Sequence, residues 1–111
     1  MKFKTSELEG AALDWAVASL ECDSGWLARH LHLLPTMPFS TDWSQAGQII
    51  ERERIVIEPT TSVFEAYVLV RENRQVSKGY AQHGPTPLIA AMRTFVASRL
   101  GDEVEIPEEL L

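Results

Sequence analysis

The amino-acid sequence predicts an α+β fold, in which an amino-terminal and a carboxy-terminal helix pack on one face of a small antiparallel sheet of about three strands. A capping pattern near the start of the chain and a punctuated apolar stretch near its end predict the two helices. β-Branched and alternating runs between residues 55 and 82 predict the strands. The 111 residues suit one domain, so we expect residues 1–111 to form a single domain.

The first predicted helix runs from Glu7 to about Glu21. Ser6 and Glu9 have the spacing of a capping box, in which the serine bonds a first-turn amide and the glutamate reaches back. Acidic residues recur every seven positions and share one narrow face, while apolar residues cover much of the remaining surface. An apolar surface this wide usually contacts more than one neighbour.

Residues 22–48 are less regular. The spacing of apolar residues from Trp26 to Leu34 favours a short helix over a strand, and Pro35 ends it. The stretch FSTDWSQAG predicts an ordered loop with Trp43 as its anchor. The following GQIIERER fits either a helical turn or an extended approach to the sheet.

Three strands are predicted around residues 55–58, 63–71 and 76–82. The first is β-branched and ends at Pro59. The second alternates, and we expect its core face to carry Phe64, Ala66, Val68 and Val70. The polar ENRQ then allows an antiparallel return, with Val76, Lys78 and Tyr80 on one side, so a hairpin is the economical interpretation.

The closing helix has the clearest signals. Thr86 is a suitable N-cap, Pro87 suits the first helical position, and Gly101 suits the left-handed conformation that ends a helix. Its large apolar residues lie in an arc of roughly 140° at 100° per residue, with Ala90, Thr94, Ala97 and Ser98 facing away. We expect the acidic tail EVEIPEELL to be loosely held.

Charge and cysteine content narrow the possible functions. The chain has a formal net charge of −6, and its sequence lacks the basic stripe that is typical of nucleic-acid binding. A nucleic-acid partner is therefore less favoured. The single Cys22 cannot form an intrachain disulfide, and the first residues lack an apolar signal core, so we expect a cytoplasmic location. No run approaches the ~18 apolar residues of a membrane span, so no membrane association is predicted.

The sequence predicts no catalytic residue, cofactor or metal. Cys22, His30, His32 and His83 lack the paired spacing of zinc ligands, and a Cys22–His dyad has no local signature. The Gly84-Pro-Thr-Pro stretch lacks the glycines and lysine of a phosphate loop, so helix capping is the better interpretation.

Two surfaces are candidates for function. The first combines a tryptophan and two arginines, residue types common at protein interfaces; it comprises Asp42, Trp43, Gln45, Arg52 and Arg54. In the alternative interpretation Trp43 fills the core and the charges form surface ion pairs.

The second surface is the hairpin tip, where Arg71, Arg74 and Lys78 lie near Tyr67 and Tyr80. These residues could contact phosphates and stack on bases. A solvated hairpin tip is the alternative, because the charge run is short.

Three stretches together resemble the NinX-like family of small phage and prophage proteins, classed as a domain of unknown function: KTSELEGAALDWAVA, FSTDWSQAGQIIERERI and GPTPLIAAMRTFVASRLGDEVEIPEEL. The resemblance implies a phage or prophage origin and a location in the bacterial host cytoplasm. It implies no activity, and an accessory role only by association with phage regions that encode recombination accessories.

The leading functional hypothesis is therefore a non-enzymatic phage accessory that binds a host or phage protein. A nucleic-acid-associated accessory that uses the hairpin cations and a small-molecule enzyme are the alternatives. A homodimer is also possible, because a three-stranded sheet has two open edges and the first helix has a spare apolar face.

Overall fold

The computed structural model describes residues 1–111 and confirms the predicted α+β fold. Its elements in chain order are β1 (Lys2–Lys4), α1 (Gly10–Glu21), α2 (Ser24–Arg29), α3 (Trp43–Glu53), β2 (Val56–Pro59), β3 (Phe64–Glu72), β4 (Gln75–Gly84), α4 (Pro87–Leu100) and β5 (Glu103–Glu105). Short 3-10 turns occupy Thr5–Glu7, Leu31–Thr36 and Glu108–Leu110. No helix is long and apolar enough to cross a lipid bilayer.

The main sheet is antiparallel, with strand order β2-β3-β4, as predicted. A two-residue turn at Asn73 and Arg74 joins β3 to β4, and both residues have positive φ (50° and 66°), which tight hairpin turns require. Ala66 pairs with Gln82 while Val68 pairs with Gly79, so β4 contains one extra residue and forms a bulge. The bulge interrupts the regular alternation that the sequence predicted for this strand.

Helix α4 begins and ends where the sequence predicted. Thr86 Oγ1 accepts a hydrogen bond from the Ile89 amide at 3.2 Å, Pro87 is the first residue, and Gly101 follows the last turn with φ of 85°. The helix packs on the sheet and also contacts α1 and α3. The positions expected to face away are therefore largely buried, including Ala90, Thr94 and Ala97, because the helix lies inside the molecule.

The predicted capping box at the start of α1 is wrong. Helix α1 begins at Gly10, and Ser6 lies in the preceding 3-10 turn, where it caps nothing. The physical reason is tertiary, because the Thr5 hydroxyl donates to the Gly101 carbonyl at 2.6 Å and the Leu8 carbonyl accepts a bond from Arg93. These contacts hold residues 5–8 against α4 instead of leaving them to extend α1.

The segment between α1 and the sheet is more helical than expected. Helix α2 confirms the preference for a helix over a strand, and the Asp23 carboxylate caps it by accepting from the Trp26 amide. The predicted end at Pro35 is wrong, because α2 ends at Arg29 and Pro35 lies within the 3-10 turn that follows. The ordered loop predicted around Trp43 is wrong beyond Asp42, because α3 starts at Trp43. The helix forms because Asp42 caps it and its apolar residues, with Ala46 and Ile49 fully buried, follow helical spacing.

The acidic tail is docked, which corrects the expectation of a loose end. β5 pairs with β1 in a second, two-stranded antiparallel sheet, with Lys2 opposite Glu105 and Lys4 opposite Glu103. Val104 and Ile106 are buried in the hydrophobic core. Opposite charges across the strands and two buried apolar side chains hold the tail in place.

Candidate functional site

The five residues of the first predicted surface do not form one patch. They lie along α3, whose two ends are roughly 16 Å apart at 1.5 Å per residue. At the amino end Asp42 accepts from the Ser44 amide and hydroxyl, and Gln45 Nε2 donates to the Thr36 carbonyl at 2.9 Å. The Trp43 side chain is 54% exposed, so it lies on the surface and does not fill the core.

At the other end of α3, Arg52 holds helices together. Its Nη1 and Nη2 atoms donate to the two carboxylate oxygens of Glu21 at 2.9 and 3.0 Å, and its Nε donates to Glu53. Glu53 also accepts from Arg99, and both guanidinium groups lie over the Phe95 ring, at 5.7 and 5.6 Å from its centroid. Arg52 therefore links α1, α3 and α4, and its charge is already paired within the protein.

Arg54 differs from Arg52. It ends α3 in the left-handed conformation with φ of 55°, is exposed, and makes no ion pair. It lines a cleft of about 290 Å³ together with Glu53, Val68, Leu69 and Arg71. The structure thus brings a residue of the first predicted surface next to a residue of the second.

The three predicted cations of the hairpin also differ in whether they form ion pairs. Lys78 Nζ lies 2.8 Å from Glu65 and 3.7 Å from Glu58, and it lies over the Tyr67 ring at 4.6 Å from its centroid. The Glu65 carboxylate raises the pKa of Lys78, and Lys78 in turn lowers the pKa of Glu65. Arg71 and Arg74 make no such pair and stay exposed, so only two of the three predicted cations are free for a partner.

The distal part of the hairpin, residues 69–78, is here called the hairpin arm. Every residue from Arg71 to Lys78 is exposed. Leu69 and Val76 are 51% and 56% exposed, and they lie on the same face because Leu69 pairs with Lys78 and Arg71 pairs with Val76. The arm therefore presents two large apolar side chains to solvent beside Arg71.

The inner edge of the arm is open as well. β2 begins at Val56, which pairs with Tyr67, so residues 68–72 of β3 have no neighbouring strand on the β2 side. Arg54 and Ile55 lead into β2 at this point, and the 290 Å³ cleft lies there. An unpaired stretch of a strand is a template for a further strand.

A second cleft, of about 410 Å³, surrounds Asp14 on α1. Its other lining residues include His32, Leu34, Ser40 and Thr41. Asp14 Oδ1 accepts a hydrogen bond from the Ser40 amide at 2.8 Å. Burial raises the pKa of the Asp14 carboxyl, and the bond from Ser40 opposes this shift.

A third cleft, of about 380 Å³, is lined by Ser6, Gln82, His83 and Arg93. Arg93 belongs to α4 and is only 8% exposed. Its Nε donates to the Leu8 carbonyl at 2.8 Å and its Nη1 to the His83 carbonyl at 2.7 Å. Burial lowers the pKa of the guanidinium, and the Glu9 carboxylate partly offsets the effect.

The remaining candidate ligands have local roles. His30 stacks on Trp26 with ring centroids 4.5 Å apart, and its Nδ1 lies 2.8 Å from the Trp26 carbonyl. Cys22 is a free, half-buried thiol. No three His, Cys, Asp or Glu side chains are grouped so that they could hold a metal ion.

Asp14 and Arg93 were not predicted from the sequence. A weak signal exists for Arg93, which stands in the apolar run AAMRTFVA of the closing helix. Asp14 stands between Leu13 and Trp15, and from the sequence it could be placed only in an acidic series of period seven, with Glu7 and Glu21, on one narrow face of the helix. In both cases the environment depends on segments distant in the sequence.

The fold and these surfaces define a small α+β protein with a long exposed hairpin and separate clefts around Asp14 and Arg93. A family model described as "Bacteriophage P22, NinX" matches residues 4–99, and the chain therefore belongs to this phage protein family. The matched range includes α1 to α3, the whole three-stranded sheet and all of α4 except its last residue, but not β5. A comparison with curated proteins gave no significant match.

Proposed function

We propose that this protein is a non-enzymatic phage accessory protein that acts in the bacterial host cytoplasm by binding a host or phage protein. The contact surface is the open edge of β3 together with the hairpin arm, and the partner supplies an extended, acidic segment. The observation that carries the proposal is the 290 Å³ cleft at this edge, where Arg54 and Arg71 meet Leu69.

The backbone of β3 provides the first part of the argument. Residues 68–72 have a strand on one side only, so an extended segment can pair with the other side and continue the sheet beyond β2. Main-chain hydrogen bonds give such strand addition its affinity, and neighbouring side chains give it specificity.

The side chains around the edge provide the second part. Arg54 and Arg71 make no ion pair, whereas Glu53 in the same cleft is neutralised by Arg52 and Arg99. The local charge is therefore positive although the whole chain carries −6. Opposite charge speeds association and selects the partner, so an acidic segment is the complementary one.

The exposed apolar residues of the arm provide the third part. Burying Leu69 and Val76 against a partner would remove apolar surface from water, at about 25 cal/mol per Å². Trp43 is exposed at the other end of α3, where it could contact the same partner. The variant Trp43→Ala tests this contact separately.

Affinity capture from phage-infected cells tests the proposal. The test variants are Arg71→Glu and Leu69→Ser, and the matched controls are Arg29→Glu on α2 and Leu100→Ser at the end of α4, both exposed. We expect the test variants to reduce recovery of the partner at least about tenfold, the effect of roughly 1.4 kcal/mol, while the controls retain it. Equal recovery of the partner with Arg71→Glu and Arg29→Glu would contradict the proposal. If only Trp43→Ala reduced recovery, the contact would have to be assigned to the start of α3.

A nucleic-acid partner is the second candidate, because Arg71 and Arg74 are exposed and unpaired. The pairing of Lys78 with Glu65 and Glu58 weakens it. Titration with single- and double-stranded DNA at two salt concentrations distinguishes the candidates. Binding that falls with salt and depends on Arg74 would favour nucleic acid over an acidic protein segment.

A homodimer remains a prediction, but the spare apolar face of the first helix no longer supports it. The broad apolar surface of α1 packs against α4, α2 and the following 3-10 turn of the same chain. Pairing two copies through the β3 edge would bring Arg54 and Arg71 of both copies together, and their repulsion disfavours it. Sedimentation at two salt concentrations checks this, because a dimer that uses this edge would strengthen at high salt.

A small-molecule enzyme is the remaining alternative. The Asp14 and Arg93 clefts are large enough for small molecules. Arg93 bonds only backbone carbonyls. Asp14 accepts from the amide of Ser40 and is also influenced by its hydroxyl, but no hydrogen bond joins His32 to this hydroxyl, so no base is arranged to activate it as a nucleophile. The hairpin arm therefore supports binding better than these clefts support catalysis.

A further inference from the structure

We propose that the cleft around Arg93 is an oxyanion-binding site, which takes a carboxylate or phosphate group of a small ligand. This site is separate from the hairpin arm and does not depend on the proposed protein contact. It rests on the burial of Arg93, on the donors that its guanidinium has left over, and on the polar residues that line the cleft.

The charge of Arg93 is not compensated within the protein. The residue is only 8% exposed, yet its two hydrogen bonds go to the neutral carbonyl oxygens of Leu8 and His83. Glu9 acts on the guanidinium from a distance but does not form a salt bridge with it. Buried charges are normally paired, because removing a cation from water without a counter-charge is costly.

The two carbonyl bonds do not by themselves explain an arginine at this position. A neutral donor such as glutamine could bond a carbonyl without the cost of burying a charge. Two of the five N–H donors of the guanidinium are used, and Nη2 makes no hydrogen bond within the protein. A planar guanidinium with free donors matches the geometry of a carboxylate or phosphate.

The surroundings of Arg93 add further donors. Ser6, Gln82 and His83 line the same 380 Å³ cleft, and their side chains carry a hydroxyl, a carboxamide and an imidazole. His83 Nε2 lies 3.5 Å from Glu65, so this carboxylate competes for the imidazole at the rim of the cleft. The deeper donors are those of Arg93, and no carboxylate is paired with them.

The backbone around the cleft is closely packed. Gly84 is buried where β4 meets the first turn of α4, and a Cβ atom at this position would lie 2.7 Å from the Ala90 nitrogen. The Arg93 bonds to Leu8 and His83 join the amino-terminal segment and the end of β4 to α4. The donors are thus held in place before a ligand arrives, which lowers the entropic cost of binding.

The experiment is a titration of the full chain with inorganic phosphate, and separately with acetate, at constant ionic strength set by chloride. Chemical shifts are followed for the Arg93 Nε–H and the amides of Ser6, Gln82 and Gly84. We expect saturable shifts at these positions, and a rise in melting temperature that follows ligand concentration. The two anions show whether the site prefers a phosphate or a carboxylate.

Variants distinguish binding at the Arg93 cleft from nonspecific binding of anions to the protein surface. Ser6→Ala and Gln82→Ala leave the Arg93 bonds to Leu8 and His83 intact, and each should weaken binding roughly threefold to tenfold, as loss of one hydrogen bond does. Arg54→Ala removes an exposed arginine elsewhere and should change nothing. Arg93→Gln should abolish the saturable shifts, provided that its spectrum shows the native fold.

Linear, non-saturating shifts with both anions would overturn the proposal, and so would equal affinity in the wild type and the Ser6→Ala/Gln82→Ala double variant. The double variant keeps the test decisive if Arg93→Gln fails to fold. None of these outcomes alters the capture experiment on Arg71 and Leu69, so the two proposals can fail separately.

Discussion

Asp14 and Glu53 show how two carboxyl groups of one small protein respond differently to their surroundings. Burial beside the 3-10 turn raises the pKa of Asp14. Hydrogen bonds from Arg52 and then Arg99 lower the pKa of Glu53. Their ionised forms therefore have opposite effects on folding: ionisation of Asp14 opposes the folded state, and ionisation of Glu53 stabilises it.

The role of Asp14 is tested by comparing Asp14→Asn with Asp14→Ala. Because the folded pKa of Asp14 is raised, its favourable contribution is present at low pH and is lost as pH rises through that pKa. Asparagine removes the charge but can still accept from the Ser40 amide, so we expect unchanged or higher stability at neutral pH. Alanine leaves this amide without its acceptor and should cost about 1–3 kcal/mol.

Denaturant unfolding at neutral and acidic pH measures both Asp14 variants. Equal destabilisation by asparagine and alanine would show that the carboxylate charge itself is needed. Such a result would direct attention to the Asp14 cleft as a site that binds a cation or a hydrogen-bond donor.

Glu53→Gln tests the opposite case. The folded pKa of Glu53 is lowered, so its contribution is present above its ordinary pKa of 4.5 and is lost as pH falls through the folded value. We expect a loss of about 1 kcal/mol at neutral pH, modest because Arg52 and Arg99 are half-exposed, and convergence with the wild type at low pH. Glu51→Gln, an exposed change on the same helix, is the control, and a pH-independent difference would contradict the explanation.

Among the single elements, α4 and α3 differ in how deeply they are buried. α4 has a side-chain cap, a proline at its first position and a glycine after its end, and it lies between the sheet and the other helices. α3 lies at the surface, where Arg52 ties it to Glu21 at the end of α1. Glycine substitutions distinguish these environments clearly.

Gly47→Ala and Gly84→Ala should have opposite effects on stability. Gly47 lies inside α3, and a Cβ atom added there would have no neighbouring atom within 4 Å, so alanine should stabilise the protein by about 0.5–1 kcal/mol through helix propensity. At Gly84 the added Cβ would lie 2.7 Å from the Ala90 nitrogen, so we expect a loss of about 1–3 kcal/mol. Thermal unfolding measures both, and a neutral Gly84→Ala would mean that β4 can move away from α4.

In the molecule as a whole, the two ends of the chain pair with each other and pack against the core. β1 and β5 pair, and the amino-terminal ammonium group lies 2.7 Å from the Glu105 carboxylate. Ile106 is 1% exposed and belongs to the same core as α1 and α4. The last residues therefore stabilise the core, although the family match ends at residue 99.

Ile106→Ala tests the contribution of the tail. Removing a fully buried side chain should cost about 2–5 kcal/mol, through lost burial and a cavity. Leu111→Ala, at a 58% exposed position, should stay within about 0.5 kcal/mol of the wild type. A small effect at Ile106 would indicate that the β1–β5 sheet opens independently of the rest of the protein, which hydrogen exchange at Val104 would also reveal.

Features whose causes lie within a few residues could be predicted from the sequence alone. Local signals account for the caps and limits of α4, for the β3–β4 hairpin, for a helix and not a strand in the stretch that includes Trp26, and for the family. Capping, β-propensity and turn preference act between near neighbours, so they can be recognised without knowing the fold.

The start of α1, the docking of the tail and the surroundings of Asp14, Arg54 and Arg93 could be read only from the folded chain. Each depends on contacts between distant segments: Thr5 with Gly101, β1 with β5, Asp14 with Ser40, and Arg93 with Leu8. Burial and unpaired charge are properties of the packed molecule, because they depend on what lies beside a side chain and not on its neighbours in the chain.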